Sequence, residues 1–213
     1  MKGHEQGART VRRIVEDCVR LGVQELTLFA FSMENWKRPP AEVRVLMVLL
    51  RRFLISERRT MHENGIRLRA IGRLEALPEN VREELTRSID ETAQHSRMTV
   101  RVALNYGGRG EIVDAMRQMA ERVQRGELAP EDIDEALVEQ HLYDPSMTSP
   151  DLLIRTAGEY RLSNFLLWQL SYSEIHVTDR CWPEFTEEDL AAAMDAYRGR
   201  VRKFGGLEPV VRC

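Results

Sequence analysis

The sequence predicts a single α/β domain with a central, mainly parallel β-sheet flanked by helices. Two observations carry this prediction. Short apolar runs of strand length alternate with longer segments of helical spacing, and glycines mark several of the changes of period. Strands separated by helices imply right-handed crossovers, hence parallel pairing. Val11, Ile14, Val15, Cys18 and Val19 repeat at helical spacing, Gly22 stops the pattern, and Leu26 to Phe31 follows as a buried-type strand. A helix from about Glu42 to His62 then leads to a strand from Ile66 to Ile71, and a helix from Glu79 to His95 leads to a strand from Thr99 to Leu104. Beyond Gly107-Gly108, the spacing of Ile112, Met116, Met119, Ala120 and Val123 gives another helix. The polar stretch from Ala129 to Pro150 combines a short helix with loops. Strands at Leu152 to Ile154 and near Glu174 to Val177, and a helix from Glu187 to about Lys203, complete the series.

The chain of 213 residues fits one domain, 1–213, with enough length to bury a substantial core. With 31 basic and 34 acidic residues, the net charge of −3 supplies no field that would gather nucleic acid or an anionic membrane, so any anion binding must be local. Cys18, Cys181 and Cys213 have neither disulfide-framework nor zinc-ligand spacing, which points to a reducing, cytoplasmic setting. No apolar run reaches the ~18 residues of a membrane span. The segment Val43 to Ile55 is apolar almost all round, so its helix needs cover on more than one side. Two readings are open: a core helix between sheet and neighbour, or a helix with one face lining a tunnel for a long hydrocarbon.

Two polar constellations stand out. Arg155, Arg161, Ser163 and Asn164 fall within ten positions directly behind the apolar run Leu152-Leu153-Ile154. Guanidinium forks match phosphate oxygens, and a strand ending in a loop is where α/β sheets place phosphates, so this segment reads as an anion clamp for a phosphate ester. Ordinary surface ion pairs are the alternative for each arginine taken singly. The second constellation, Ser32-Met33-Glu34-Asn35-Trp36-Lys37-Arg38-Pro39, emerges at the carboxyl edge of the sheet after the first predicted strand.

Together with Gly3-His4-Glu5-Gln6-Gly7, Asn105-Tyr106-Gly107-Gly108-Arg109, Ser163 to Gln169, Trp182-Pro183 and Phe204-Gly205-Gly206, these segments resemble, in order, the cis-prenyltransferases of the bacterial undecaprenyl diphosphate synthase type. The resemblance implies a homodimeric, Mg2+-dependent transferase that adds isopentenyl diphosphate units to an allylic diphosphate such as farnesyl diphosphate, yielding a long polyprenyl diphosphate. It places Arg155, Arg161 and Ser163 on the diphosphate of isopentenyl diphosphate, and His4 near the allylic diphosphate. Ser32, Asn35, Trp36, Arg38 and Glu42 fall in a mobile loop that closes over the substrates, with Asn35 the candidate catalytic residue. Glu174 becomes a magnesium ligand reaching the neighbouring subunit's site. Partners are the two diphosphates and a second copy, with membrane contact only through the lipid product and none with nucleic acid. The chemistry suits these residue types, because ionising an allylic C–O bond leaves a diphosphate anion that cationic groups must stabilise. The residue types do not identify the proton acceptor.

Several residues also have plain structural readings. Trp36 beside Pro39 serves equally as a packing anchor, Asn105 to Gly108 as a glycine-permitted strand-to-helix turn, and Cys18 as a small core residue. The chain also departs from the family pattern. The Asp-Gly-Asn-x-Arg loop that ends the family's first strand and carries its principal catalytic aspartate is absent from the 213 residues. The chain as written is therefore expected to be nearly inactive, to lack the first strand, and to start too late in its reading frame. The alternative is a non-catalytic subunit that binds lipid diphosphate or a catalytic homologue. Smaller departures are Ala157 for a glycine, Tyr160 for a histidine and Lys203 for an arginine.

Overall fold

The computed structural model describes residues 2–200, with side chains from Gln6 onward. In chain order the elements are α1 (Lys2–Arg20), β1 (Glu25–Ser32), α2 (Pro40–Glu63), β2 (Ile66–Ile71), α3 (Glu79–Thr92), β3 (Met98–Tyr106), α4 (Gly108–Gln124), α5 (Glu135–Gln140), β4 (Leu152–Arg155), β5 (Glu174–Val177) and α6 (Glu187–Arg198). A 3-10 turn over Met33–Lys37 joins β1 to α2. The expected α/β order is present throughout and every strand pairing is parallel. Among the described residues the ladder divides in two, β1-β3-β2 and β4-β5.

That division explains one correction. β1 reads in sequence as a buried strand, yet only Phe31 is buried and Ala30 is exposed. β1 has a hydrogen-bonded neighbour on one side alone, and Glu25 to Phe31 line an apolar cavity of about 900 Å3 that Leu152 to Arg155 of β4 also line. β3, paired on both sides, carries the core: Val100, Val102, Ala103, Leu104 and Tyr106 are all buried.

Two helices are shorter than their periodicity suggests. α3 stops at Thr92, before His95, where the Thr92 hydroxyl donates to Ser88 O (2.7 Å) and accepts from the Leu68 amide (3.0 Å). α6 stops at Arg198 with Gly199 at its cap, a residue that costs about 1 kcal/mol inside a helix; Lys203 and Phe204-Gly205-Gly206 lie outside the described residues. The core-helix reading of α2 holds, and one of its faces also lines the cavity. Val43, Met47, Leu54 and Met61 are buried, Leu46, Leu49, Leu50 and Phe53 line the cavity, and Val48 and Ile55 are exposed.

The core also holds a charge that periodicity does not reveal. Arg101, 1% exposed on β3, donates to Glu25 of β1 (2.5 Å) and to Asp144 ahead of β4 (2.6 Å), and Arg69 of β2 reaches the same aspartate at 3.2 Å. Burial works to raise the Asp144 carboxyl, but hydrogen bonds from Ser146 and Arg101 and the charges of Arg101 and Arg69 hold it below the usual range. A carboxyl depressed on folding stabilises above its unfolded pKa, near 3.9, and that contribution is lost as pH falls through the lower folded value. Unfolding in urea should show stability falling below about pH 4. Arg101→Ala, which strands a buried carboxylate, should cost about 3–5 kcal/mol at neutral pH. A loss below about 1 kcal/mol would mean the pair contributes no more than an exposed one.

Candidate functional site

The loop after β4 folds back on itself through left-handed backbone: Ala157, Gly158, Ser163 and Asn164 have φ of 65°, 62°, 53° and 61°. Gly158 suits this turn, since its left-handed φ strains an L side chain and a Cβ there would push on Asp179 Oδ1 at 2.8 Å. Ala157 occupies the same region with a methyl group, which costs about 1–2 kcal/mol. The fold-back brings the sequence-predicted clamp together. Arg155 and Arg161 both pair with Glu159, and Arg155 Nη2 lies 3.4 Å from Ser163 Oγ. Burial works to raise the Glu159 carboxyl, yet Arg155 and Arg161 hold it below the usual range. One donor is left over: the Nε of Arg155 is buried without a hydrogen-bond partner.

Arg155 and Arg161 also line the cavity, whose walls beyond them are β1, the inner face of α2 and the apolar side of α1. Phe29 stacks on Phe165 there, with ring centroids 4.6 Å apart. The cavity opens between β1 and β4, where the sheet divides among the described residues, and the two arginines stand at its rim, where guanidinium groups suit a phosphate ester.

The second constellation sits at the carboxyl end of β1. Asn35 Oδ1 accepts from the Ser32 amide (2.9 Å), Trp36 packs edge-on against Phe31 at 5.1 Å and donates to Asn105 Oδ1 (2.7 Å), and Arg38 pairs with Glu42 at 2.8 Å. Trp36 is thus both a packing anchor and a hydrogen-bonded one. The loop meets the clamp directly, because the side-chain amide of Asn164 donates to Glu34 (3.0 Å). Burial works to raise the Glu34 carboxyl, but hydrogen bonds from Asn164, its own backbone and Ser32 bring it below the usual range.

Not every expected residue joins this group. Glu174 opens β5, pairs with Arg200, and lies opposite Leu152, whereas Arg155 at the clamp lies opposite Val177. Three residues of strand, about 10 Å, separate it from the clamp. Among the described residues no group of three or more His, Cys, Asp or Glu is arranged to hold a metal ion. The backbone of His4 belongs to α1, but its side chain lies outside the described residues. Glu159 went unrecognised in sequence, although an acid flanked by two arginines was a visible signal. Glu111 was missed too. It is 1% exposed, accepts from Tyr106 (2.5 Å) and Gln169 (3.1 Å), and pins the clamp segment to β3 and α4.

The fold and this arginine-rimmed cavity define a class: α/β proteins with a candidate anion site at the carboxyl edge of a parallel sheet. A family profile described as "Putative undecaprenyl diphosphate synthase" matches residues 1–205, and the chain belongs to that family, the cis-prenyltransferases. It is 47% identical over 206 residues to an isoprenyl transferase of Heliobacterium mobile, covering 97% of this chain and 79% of that protein. It is 45% identical over 207 residues to the farnesyl-diphosphate-specific undecaprenyl-diphosphate synthase of Escherichia coli K12, covering 97% of this chain and 82% of that one. Among solved structures, lavandulyl diphosphate synthase of Lavandula x intermedia with dimethylallyl diphosphate is similar with a TM-score of 0.92 and 40% identity, over 96% of this chain and 88% of that one. A probable undecaprenyl diphosphate synthase of Campylobacter jejuni gives 0.82 and 37%, over 94% and 92%.

Arg155→Lys keeps the charge but removes the fork and the orphaned Nε donor, so affinity for inorganic diphosphate measured by calorimetry should fall about tenfold. Unchanged affinity would remove Arg155 from the clamp. Ala157→Gly should raise stability by about 1 kcal/mol, read from the urea midpoint, with a fall contradicting the strain assigned to that position.

Proposed function

We propose that this chain carries the substrate-binding frame of a cis-prenyltransferase that condenses isopentenyl diphosphate with an allylic diphosphate such as farnesyl diphosphate to give a long polyprenyl diphosphate of the undecaprenyl type. The observation that carries the proposal is the buried, unpartnered Nε of Arg155 at the rim of the apolar cavity. A diphosphate oxygen would satisfy that donor while the attached hydrocarbon enters the chamber. Arg155, Arg161 and Ser163 then hold and orient isopentenyl diphosphate. The loop of Ser32, Asn35, Trp36, Arg38 and Glu42 closes over the reacting carbons and excludes water, and His4 serves the allylic diphosphate. In the reaction the allylic C–O bond breaks and diphosphate leaves with its electron pair. The isopentenyl double bond attacks the cation, forming the new C–C bond, and a proton is then lost.

Magnesium fits this chain only in part. Glu174 is a suitable oxygen ligand, but a single carboxylate paired with Arg200 and set away from the clamp makes no cage within one subunit. A second copy would supply the other half. Tyr172 and Ile175, exposed on either side of Glu174, offer surface for that homodimer. Among the described residues no helix is long and apolar enough to cross a membrane. Membership of the family supports a cytoplasmic enzyme whose membrane contact comes through its lipid product.

A second reading is a partner subunit that binds lipid diphosphate or a catalytic homologue without turnover. The deciding experiment is magnesium-dependent incorporation of labelled isopentenyl diphosphate into butanol-extractable lipid, comparing the 213-residue chain with a version extended upstream in its reading frame. The proposal expects activity in the extended form, with Arg155→Ala raising KM and lowering kcat and Glu174→Gln weakening the response to magnesium. Folded but silent proteins that become active only when mixed with a homologue would favour the partner reading.

A further inference from the structure

Asn164 makes more contacts than a turn requires. Its backbone carbonyl accepts from the Gly108 amide (2.7 Å), its Oδ1 accepts from the Arg109 amide (2.9 Å), and its Nδ2 donates to Glu34 (3.0 Å). The last two bonds fix the orientation of the side-chain amide by engaging both of its ends, and the first fixes its backbone. The room for it comes from Gly107, where a Cβ would stand 2.6 Å from Asn164 Nδ2. Ser163, the hydroxyl of the clamp, is its immediate neighbour, and both residues hold left-handed backbone that neither prefers. Glu34 in turn belongs to the 3-10 turn Met33–Lys37 that carries Asn35 and Trp36.

We propose that Asn164 is a positioning residue that couples occupancy of the arginine clamp to the state of the loop after β1. The inference rests on the reading of the clamp as a diphosphate site. A diphosphate held by Arg155, Arg161 and Ser163 fixes the backbone at 163 and 164, and the Asn164 amide passes that constraint to Glu34 and so to the Ser32–Arg38 loop.

The test is hydrogen exchange of amides 33–38 with and without saturating inorganic diphosphate, with binding followed separately by calorimetry. In the unmodified protein diphosphate should slow exchange in this segment about tenfold, the scale of one hydrogen bond to a charged group. Asn164→Gly keeps the left-handed backbone and removes the amide, and Asn164→Asp keeps the acceptor for Arg109 but sets a carboxylate against Glu34. Both should bind diphosphate within about threefold of the original yet lose the protection at 33–38. The double variant Asn164→Asp with Glu34→Gln reverses donor and acceptor and should restore protection, a rescue that a merely structural role would not give. Diphosphate binding that leaves 33–38 unchanged in the unmodified protein, or protection that survives both single variants, would overturn the coupling alone. Failure of the unmodified protein to bind diphosphate would overturn the clamp reading and the coupling with it.

Discussion

The seat of the clamp loop on the start of α4 is the contact on which the rest of the site depends. Gly108 donates to the Asn164 carbonyl at 2.7 Å, and a side chain at either Gly107 or Gly108 would strike that segment, through Asn164 in one case and Leu167 in the other. Because the chain between β4 and Asn164 is short and left-handed at four points, fixing Asn164 also fixes where Arg155, Glu159, Arg161 and Ser163 meet. Glu111 adds a second anchor from the same helix through Gln169, and through Tyr106 it holds the end of the central strand. The site is thus assembled from three strand ends that are distant in sequence, held by one close backbone approach.

Electrostatics explains why the clamp has its particular composition. Two guanidinium charges about 4 Å apart repel by about 4 kcal/mol near a protein surface, so a bare pair would splay. Glu159 draws both arginines together without saturating them, leaving Arg155 Nε unpaired. An anion with several oxygens can meet that donor and the Ser163 hydroxyl together, which a single carboxylate does not. In the proposed function the apolar cavity beside it selects among such anions by what they carry. Burial of each methylene is worth about 0.8 kcal/mol, so a prenyl chain adds much where free diphosphate adds nothing.

Most of the element order was legible in the sequence because apolar periodicity and glycine stops record it directly. β2 and β5 begin and end where the pattern says, while α3 overran, since periodicity continues past Thr92 but the Thr92 hydroxyl is committed to neighbouring backbone. The edge character of β1 was hidden, because an apolar run reads the same whether its second side meets a strand or a cavity. The clamp arginines and the Ser32–Arg38 loop were legible by residue type and by resemblance. Glu159 was overlooked although its two flanking arginines signal it, and the contact of Asn164 with Glu34 was hidden because it joins segments 130 residues apart through left-handed turns that no spacing encodes. Arg101 is the clearest case: a charge in the middle of a strand reads as a solvent-facing position, and only the pairing with Glu25 and Asp144 makes it internal.

The proposed function requires a diphosphate at the arginine rim with its hydrocarbon in the cavity between β1, β4 and α2. A crystal structure with farnesyl diphosphate or isopentenyl diphosphate diffused into the protein would decide it. Phosphate oxygens should lie within hydrogen-bond reach of Arg155 Nε, Arg161 and Ser163 Oγ, with prenyl carbons running past Phe29 toward Leu50 and Phe53. Diphosphate bound away from Arg155, or a chain directed into solvent, would overturn that placement.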